Sequence, residues 1–416
     1  MSKKIGVVVA LVGVCALSLF LLNCGSSSSR PSGLLYVLAQ GSNGTGNNVS
    51  TFAIDLNSGN LSLINSNAST CATAGACGLP LDIVLDPTGA TAFVLSQGAI
   101  SSFSVNSNGS FGTPTTAWTV TTGDTALAMS RDAGGNFLYV ITTGNQNVNP
   151  PLSPELYVFS TKPGSTTLTL VNNGAADLGF VLPRVPTALS AIVVSSPAEE
   201  LLFVASNKDL SNNHDDNTLS VYGVGSDGTL TEKIGSPYAT PTINPLSVLA
   251  VNTNPPGQNN GGGVFIYVGA AGNAAGALDA FQLCTVAGIA GCTQSDVTNA
   301  RLLPVGTSPT STGQNPVGMV VDPTNNFLYV VCEVQNAVYG YRIFSTTGVL
   351  TVQSPANQQT GSQPVALAIH SSGKFLYTSN STANNISGFT LSTTSGSMSA
   401  LNPVNSPAGP SGMAAR

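Results

Sequence analysis

Hydrophobic residues along most of this chain fall in short runs separated by Gly, Pro, Asn and Ser, and several runs alternate apolar with polar positions. That period of two predicts strands joined by tight turns and leaves almost no place for helices. One short strand with an aromatic at its centre recurs at Tyr36, Phe93, Tyr139, Phe203, Tyr267, Tyr329 and Tyr377. Before six of the seven lies another short strand, often led by proline or glycine: PLDIVLDP from Pro80, ALAMS from Ala126, SAIVVS from Ser190, LSVLAV from Leu246, PVGMVVDP from Pro316 and PVALAIH from Pro364. An alternating strand follows each aromatic one, as in ISSFSVN or ISGFTLS, and a fourth often comes after a Gly or Asn turn, as in GVLTVQS. Four strands per unit and seven units predict an all-β chain built as a repeat.

The two ends of the repeat predict how it closes. The Tyr36 unit lacks a proline-led first strand, and the segment from Gly409 to Arg416 reads as that missing strand with no aromatic strand after it. A ring joins the two, so that the C-terminal strand completes the first unit and only short, protected edges remain. The expectation is a seven-bladed β-propeller over residues 34–416, with four antiparallel strands per blade.

The first residues read as an address. Lys3 and Lys4 precede an apolar run from Ile5 to Leu22, the pattern of an export signal. Leu21-Leu22-Asn23-Cys24 resembles a bacterial lipoprotein box, although Asn23 stands where Gly, Ala or Ser is usual. Residues 1–23 are therefore expected to be a lipoprotein-type signal, Cys24 the lipidated residue and 24–33 a Ser-rich tether; an uncleaved membrane helix is the competing reading. Either places the folded part outside the cytoplasm, in the cell envelope.

Cysteine spacing agrees with export. Cys71/Cys77 and Cys284/Cys292 each enclose small, flexible residues, as short-loop disulfides do. Zinc is the competing reading, but the two-residue thiolate spacing is missing and no histidine lies in either loop. Cys332 is left over and reads as a half-buried small apolar residue.

Charged residues make up only 7% of the chain, and the formal net charge is −6. With 12 Lys and Arg in 416 residues, a phosphate-tracking surface and a nucleic-acid partner are excluded. The same scarcity limits candidate chemistry.

The segments from Asn315 to Val330 and from Gln363 to Thr378 resemble the blade repeat of the lactonase-type seven-bladed propellers, a family that includes 6-phosphogluconolactonase and carboxymuconate cycloisomerases. The resemblance implies a propeller that hydrolyses a sugar-type lactone, with histidine, arginine and acidic residues at the mouth of the central channel. Family enzymes tend to carry histidine just after the proline leading a first strand, where this chain has Leu81, Val317 and Val365.

Opening a lactone needs a base for water and donors for the developing oxyanion. His370 ends a first strand where sister units place Asp86 and Asp322, which predicts a turn role on the opposite face. His214 lies in an expected long loop, 205–217, that also holds Lys208, Asp209, Asp215 and Asp216. The expected catalytic set is His214, Asp215, Arg184 and Lys208; the expected ligand-binding residues are Asp209, Asp124, Asp177 and Glu333, with Glu155 a further candidate, and Arg184, Asp124, Asp177, Glu155 and Glu333 are each expected in a loop on the ligand face. A calcium reading of the 209–220 segment fails at the sixth and twelfth positions, His214 and Ser220 instead of glycine and glutamate. No metal or other cofactor is expected. A neutral lactone suits an exported, cation-poor chain better than a phosphorylated one. The alternative is a non-catalytic propeller binding carbohydrate, peptide or an envelope protein.

Overall fold

The computed structural model describes residues 33–41, 47–73, 76–145, 147–171, 179–195, 198–211, 214–254, 262–288, 291–306 and 308–416. The expected signal, Cys24 and Asp177 lie outside them. The described strands form seven antiparallel sheets, three of four strands and four of five. In the five-stranded sheets the outermost strand is broken in two, both pieces pairing with the same third strand, as Leu230–Glu232 and Tyr238–Ala239 do with Asp215–Val224. One short helix, Gln294–Thr298, interrupts the all-β pattern.

The ring closes as the sequence predicts. Pro410–Ala415 pairs with Leu34–Ala39 as the inner strand of blade 1, and Leu34 and Arg416 exchange backbone hydrogen bonds of 3.1 and 2.9 Å. The other inner strands are Pro80–Leu85, Ala126–Arg131, Arg184–Ser195, Pro245–Asn252, Pro316–Val321 and Pro364–Ile369, in blades 2 to 7. Each has its unpaired edge on the channel, so a proline can sit at or near its start without breaking a ladder.

Second strands such as Leu34–Ala39, Thr91–Ser96, Phe137–Thr142 and Phe327–Cys332 are buried at every position. Blades cover them on both faces, so they read as continuous apolar runs rather than alternating ones. There is no single core: one hydrophobic cluster fills each of the seven gaps between neighbouring blades.

In four of the seven blades the recurring aromatic is a tyrosine that ties its blade to a turn of the next; Phe93 and Phe203 have no hydroxyl to do so. Tyr36, Tyr267, Tyr329 and Tyr377 donate their hydroxyls to the carbonyls of Gly109, Gly348, Gly396 and Gly59 at 3.0, 2.9, 2.8 and 2.8 Å. Each glycine sits in the turn between third and fourth strands of the following blade. Gly59 has φ +77°, and a Cβ there would lie 2.5 Å from the Phe375 ring, so only glycine lets this turn approach its neighbour. Blade 3 departs: Tyr139 donates to the Glu200 carboxylate at 2.5 Å.

Both disulfides form, Cys71–Cys77 and Cys284–Cys292. Cys332 is fully rather than half buried, in the second strand of blade 6, and burial pushes its thiol up to about 11. Deleting residues 409–416 removes the closing strand and is expected to lower Tm by roughly 10 °C or more. Tyr377→Phe should cost about 1 kcal/mol. Calorimetry checks both, and an unchanged Tm in the deletion variant would sink the closure argument.

Candidate functional site

Inner strands run down from one face, second strands return, and so the second-to-third turns share that face with the entries to the inner strands. At this upper face the inner strands enclose a cavity of about 370 Å³. Its shape follows from one irregularity repeated seven times. Just inside each inner strand the pairing slips by a residue, between Pro80 and Asp82, Ala126 and Ala128, Pro245 and Ser247, Pro316 and Gly318, and likewise in the other three. Such a bulge re-aims side chains. Two consecutive residues therefore face the cavity in most blades, for example Leu81 and Asp82, or Val317 and Gly318.

Among the described residues Asp82 is the one titratable side chain in the cavity wall. Its carboxylate accepts the Ile83 N–H at 2.8 Å and also the Met129 N–H of the next blade. Burial outweighs these two donors and raises its pKa to about 6.

The residues expected to act are gathered at the same face, in blade 4, but in a hairpin rather than a long loop. The second strand runs on to Asp209 and the third begins at Asp215. Arg184, expected in a loop, opens the inner strand Arg184–Ser195 and lies opposite Asp209; Val185 lies opposite Lys208, and Lys208 opposite Asp215. Polar strand ends can stay paired here because the charges offset one another: Arg184 Nε donates to Asp216 at 2.7 Å, with both side chains part-exposed. Asp209 accepts the Ser211 hydroxyl and N–H, each at 2.7 Å, and these bonds hold its carboxyl below the usual range. His214 is exposed, and its carbonyl accepts the Asp209 N–H at 3.0 Å.

Nine of the twelve Lys and Arg residues are described, and of these only Arg184 and Lys208 lie at the upper face. The rest follow the ends of inner or third strands or border the outer turns on the lower side. Arg131 is one of them; it stacks on Phe93 at 5.6 Å and donates to Gly135 O at 2.9 Å beside a lower cavity of about 490 Å³.

The remaining candidates stand on other blades and serve local structure. Asp124 accepts the Thr125 N–H at 2.6 Å in the approach to blade 3. Glu155 opens a third strand and accepts the Tyr157 hydroxyl. Glu333 links blades 6 and 7, accepting from Gln363 Nε2 at 2.8 Å and Asn315 Nδ2 at 3.4 Å. His370 is buried in a lower turn with its Nδ1 against Ser372, in the place where Asp86 and Asp322 cap Thr91 and Phe327. Among the described residues no three His, Cys, Asp or Glu side chains converge as a metal-holding group.

Residues 293–410 match the family model described as lactonase, 7-bladed beta-propeller. The fold is that of the lactonase-type propellers. A periplasmic gluconolactonase of Pseudomonas aeruginosa is similar in structure with a TM-score of 0.59 at 16% identity, over 92% of this chain and 99% of that one. A 6-phosphogluconolactonase candidate of Bacteroides fragilis gives 0.61 at 14% over 92% and 98%, and a protein of Lactobacillus plantarum 0.63 at 14% over 92% and 99%. Comparison with curated proteins gives no significant match.

In this propeller Asp82 is the residue that sequence reasoning missed. The signal is present. With the seven inner strands set in register at the slip, the equivalent residues are Ala128, Ala188, Ser247, Gly318, Ala366 and Gly412, all small, against one carboxyl. A folded pKa near 6 against an unfolded 3.8 means that Asp82 disfavours folding once it ionises. Stability is unaffected by this group below pH 4, falls as pH rises from 4 to 6, and stays lower above that. Asp82→Asn is therefore expected to raise stability by about 3 kcal/mol at pH 8, with the gain vanishing near pH 4. Denaturant unfolding at the two pH values checks it; an equal effect at both refutes the shifted carboxyl.

Proposed function

We propose that this protein is an exported hydrolase that opens a neutral sugar-type lactone at the upper mouth of its channel. The observation that carries this reading is the placing of Arg184 and Lys208, the two described cations of that face, at the upper ends of adjoining strands in the blade that also holds His214 and Asp215. Water attacks the lactone carbonyl; His214, oriented by Asp215, takes the proton, and Arg184 or Lys208 stabilises the oxyanion. The Arg184 Nε bond to Asp216 sets the plane in which the guanidinium presents its other donors. No cofactor is needed. Two cations are few for holding a phosphate, which favours a neutral ring. The likeness to a protein named as a gluconolactonase agrees with this substrate class.

Two disulfides suit an oxidising compartment, and the basic, apolar start with Cys24 suits attachment to the membrane through a lipid, the Ser-rich tether carrying residues 34–416 clear of the surface. A second reading, a non-catalytic propeller for carbohydrate, peptide or an envelope protein, draws support from Leu81, Val317 and Val365, apolar where family enzymes tend to carry histidine.

The test is hydrolysis of a panel of sugar lactones by the full chain, with His214→Ala and Arg184→Ala beside it. Each substitution is expected to lower kcat/KM by roughly a hundredfold. Turnover untouched by both refutes the site, and binding without turnover favours the second reading.

A further inference from the structure

We propose that Asp82 is a charge filter in the channel cavity, a specificity-determining residue that admits a neutral ring and turns away the anionic acid formed when that ring opens. The inference rests on the lactone reading and deepens it. In the reaction, the oxygen of water bonds to the lactone carbonyl carbon, the ring C–O bond breaks and the ring oxygen takes a proton. The hydroxy acid so formed then releases a proton to solvent. Substrate and product are nearly the same size and differ by one negative charge, so shape separates them poorly and charge separates them well.

The cavity is built to feel that charge. Many of its lining side chains are aliphatic, Leu127, Leu189, Leu246 and Val365 among them, while the unpaired edges of the inner strands make the exposed wall more polar than apolar. The hydroxyls among them look elsewhere: Ser247 donates to Pro316 O at 2.6 Å and Thr187 to Ala205 O at 3.2 Å. Asp82 carries the one charge among the lining side chains, so its carboxylate sets the sign of the potential within the space. Only small residues occupy the six equivalent positions, which leaves the Asp82 carboxyl unopposed at its level. Its bonds to the Ile83 and Met129 N–H groups fix it in the wall, and the residue stays partly open to the cavity.

The groups packed around Asp82 do not cancel it. On the flanking inner strands, Ala126–Arg131 and Pro410–Ala415, the titratable side chains are Arg131 and the terminal segment's Arg416, both at the lower ends. Asp86 and Asp132 accompany them there. On the paired second strand, Thr91–Ser96, there is none. At the rim stand Arg184, Lys208, Asp209, His214, Asp215 and Asp216 of blade 4, with Asp124, Glu155 and Glu333 on other blades, and these attract, bind or repel a ligand before it meets Asp82.

The experiment uses two non-reacting probes of similar size, gluconate and the neutral ring 1,5-anhydroglucitol, bound to the full chain in calorimetric titrations at pH 8 and pH 5. Gluconate remains ionised at both. The wild-type protein is expected to prefer the neutral ring at pH 8. Asp82→Asn should tighten gluconate by roughly tenfold or more, the size expected for removing one of two like charges at an intermediate dielectric, and leave the neutral ring within about threefold. Lowering the pH to 5 should shift the wild-type preference the same way, because Asp82 protonates, and should leave that of the Asn variant in place; the variant thus separates Asp82 from the rim residues. A preference unchanged by the substitution, or binding of neither probe, overturns the proposal. Lactone hydrolysis read alongside keeps the two readings apart. A shifted preference without turnover upholds the filter and removes the hydrolase, and turnover with an unshifted preference removes the filter alone.

Discussion

Everything in this molecule depends on one requirement: a blade can bury its second strand only between two neighbours. Leu34–Ala39, Thr91–Ser96 and their counterparts are closed to solvent on both faces, and each hydrophobic cluster is shared by two sheets. A single blade would expose these runs, and an open row of blades would expose them at both ends. The Tyr-to-Gly hydrogen bonds convert that general demand for burial into a specific spacing, since a hydroxyl 2.8–3.0 Å from a turn carbonyl fixes how far one blade stands from the next. The bond from Tyr377 to Gly59 spans 318 residues of sequence and meets the same standard as the local ones. Closure therefore makes the last contact equivalent to the others rather than adding a special one.

The ring then dictates the site. Seven inner strands turn their unpaired edges to one axis, and the slip just inside each strand aims two residues at the resulting space. Six blades place a small residue at the second of these positions, which keeps the channel open; blade 2 places Asp82 there. Blade 4 contributes differently, by extending its second and third strands upward until Lys208, Asp209 and Asp215 stand beside Arg184 at the rim. Channel and rim thus carry opposite tendencies: a rim where positive and negative groups are paired and solvated, and an interior with one carboxyl among uncharged side chains.

How much of this the sequence disclosed depends on how local each feature is. The aromatic strands, the Pro80, Pro316 and Pro364 starts, the closing segment at Pro410 and the two short-loop disulfides are encoded within a few neighbouring residues, and all were legible. The 205–217 segment misled because its composition is that of a loop, whereas pairing across the hairpin and the Arg184–Asp216 bridge hold it as strand ends. Arg184 reads as a loop residue for a related reason: the apolar pattern of its strand begins only after Pro186. Asp82 was passed over because nothing beside it in sequence marks it. Its distinction appears only when seven strands far apart in the chain are laid in register around an axis, which is information held by the ring.

Asp82 also poses an energetic question that bears on what the cavity is for. As a stitch between inner strands it accepts N–H groups from Ile83 and Met129, a role that a neutral side chain could share; Ser130 and Ser190 accept the N–H groups of Ala191 and Ala250 between other inner strands at 3.3 and 3.1 Å. A hydroxyl does this without burying a charge. A carboxylate in the same setting costs folding free energy at neutral pH, as its pKa near 6 expresses. A stitch alone therefore gives no reason for the acid at position 82. A negative charge facing the ligand cavity does, because repulsion of an anion is a property that neither serine nor asparagine can supply.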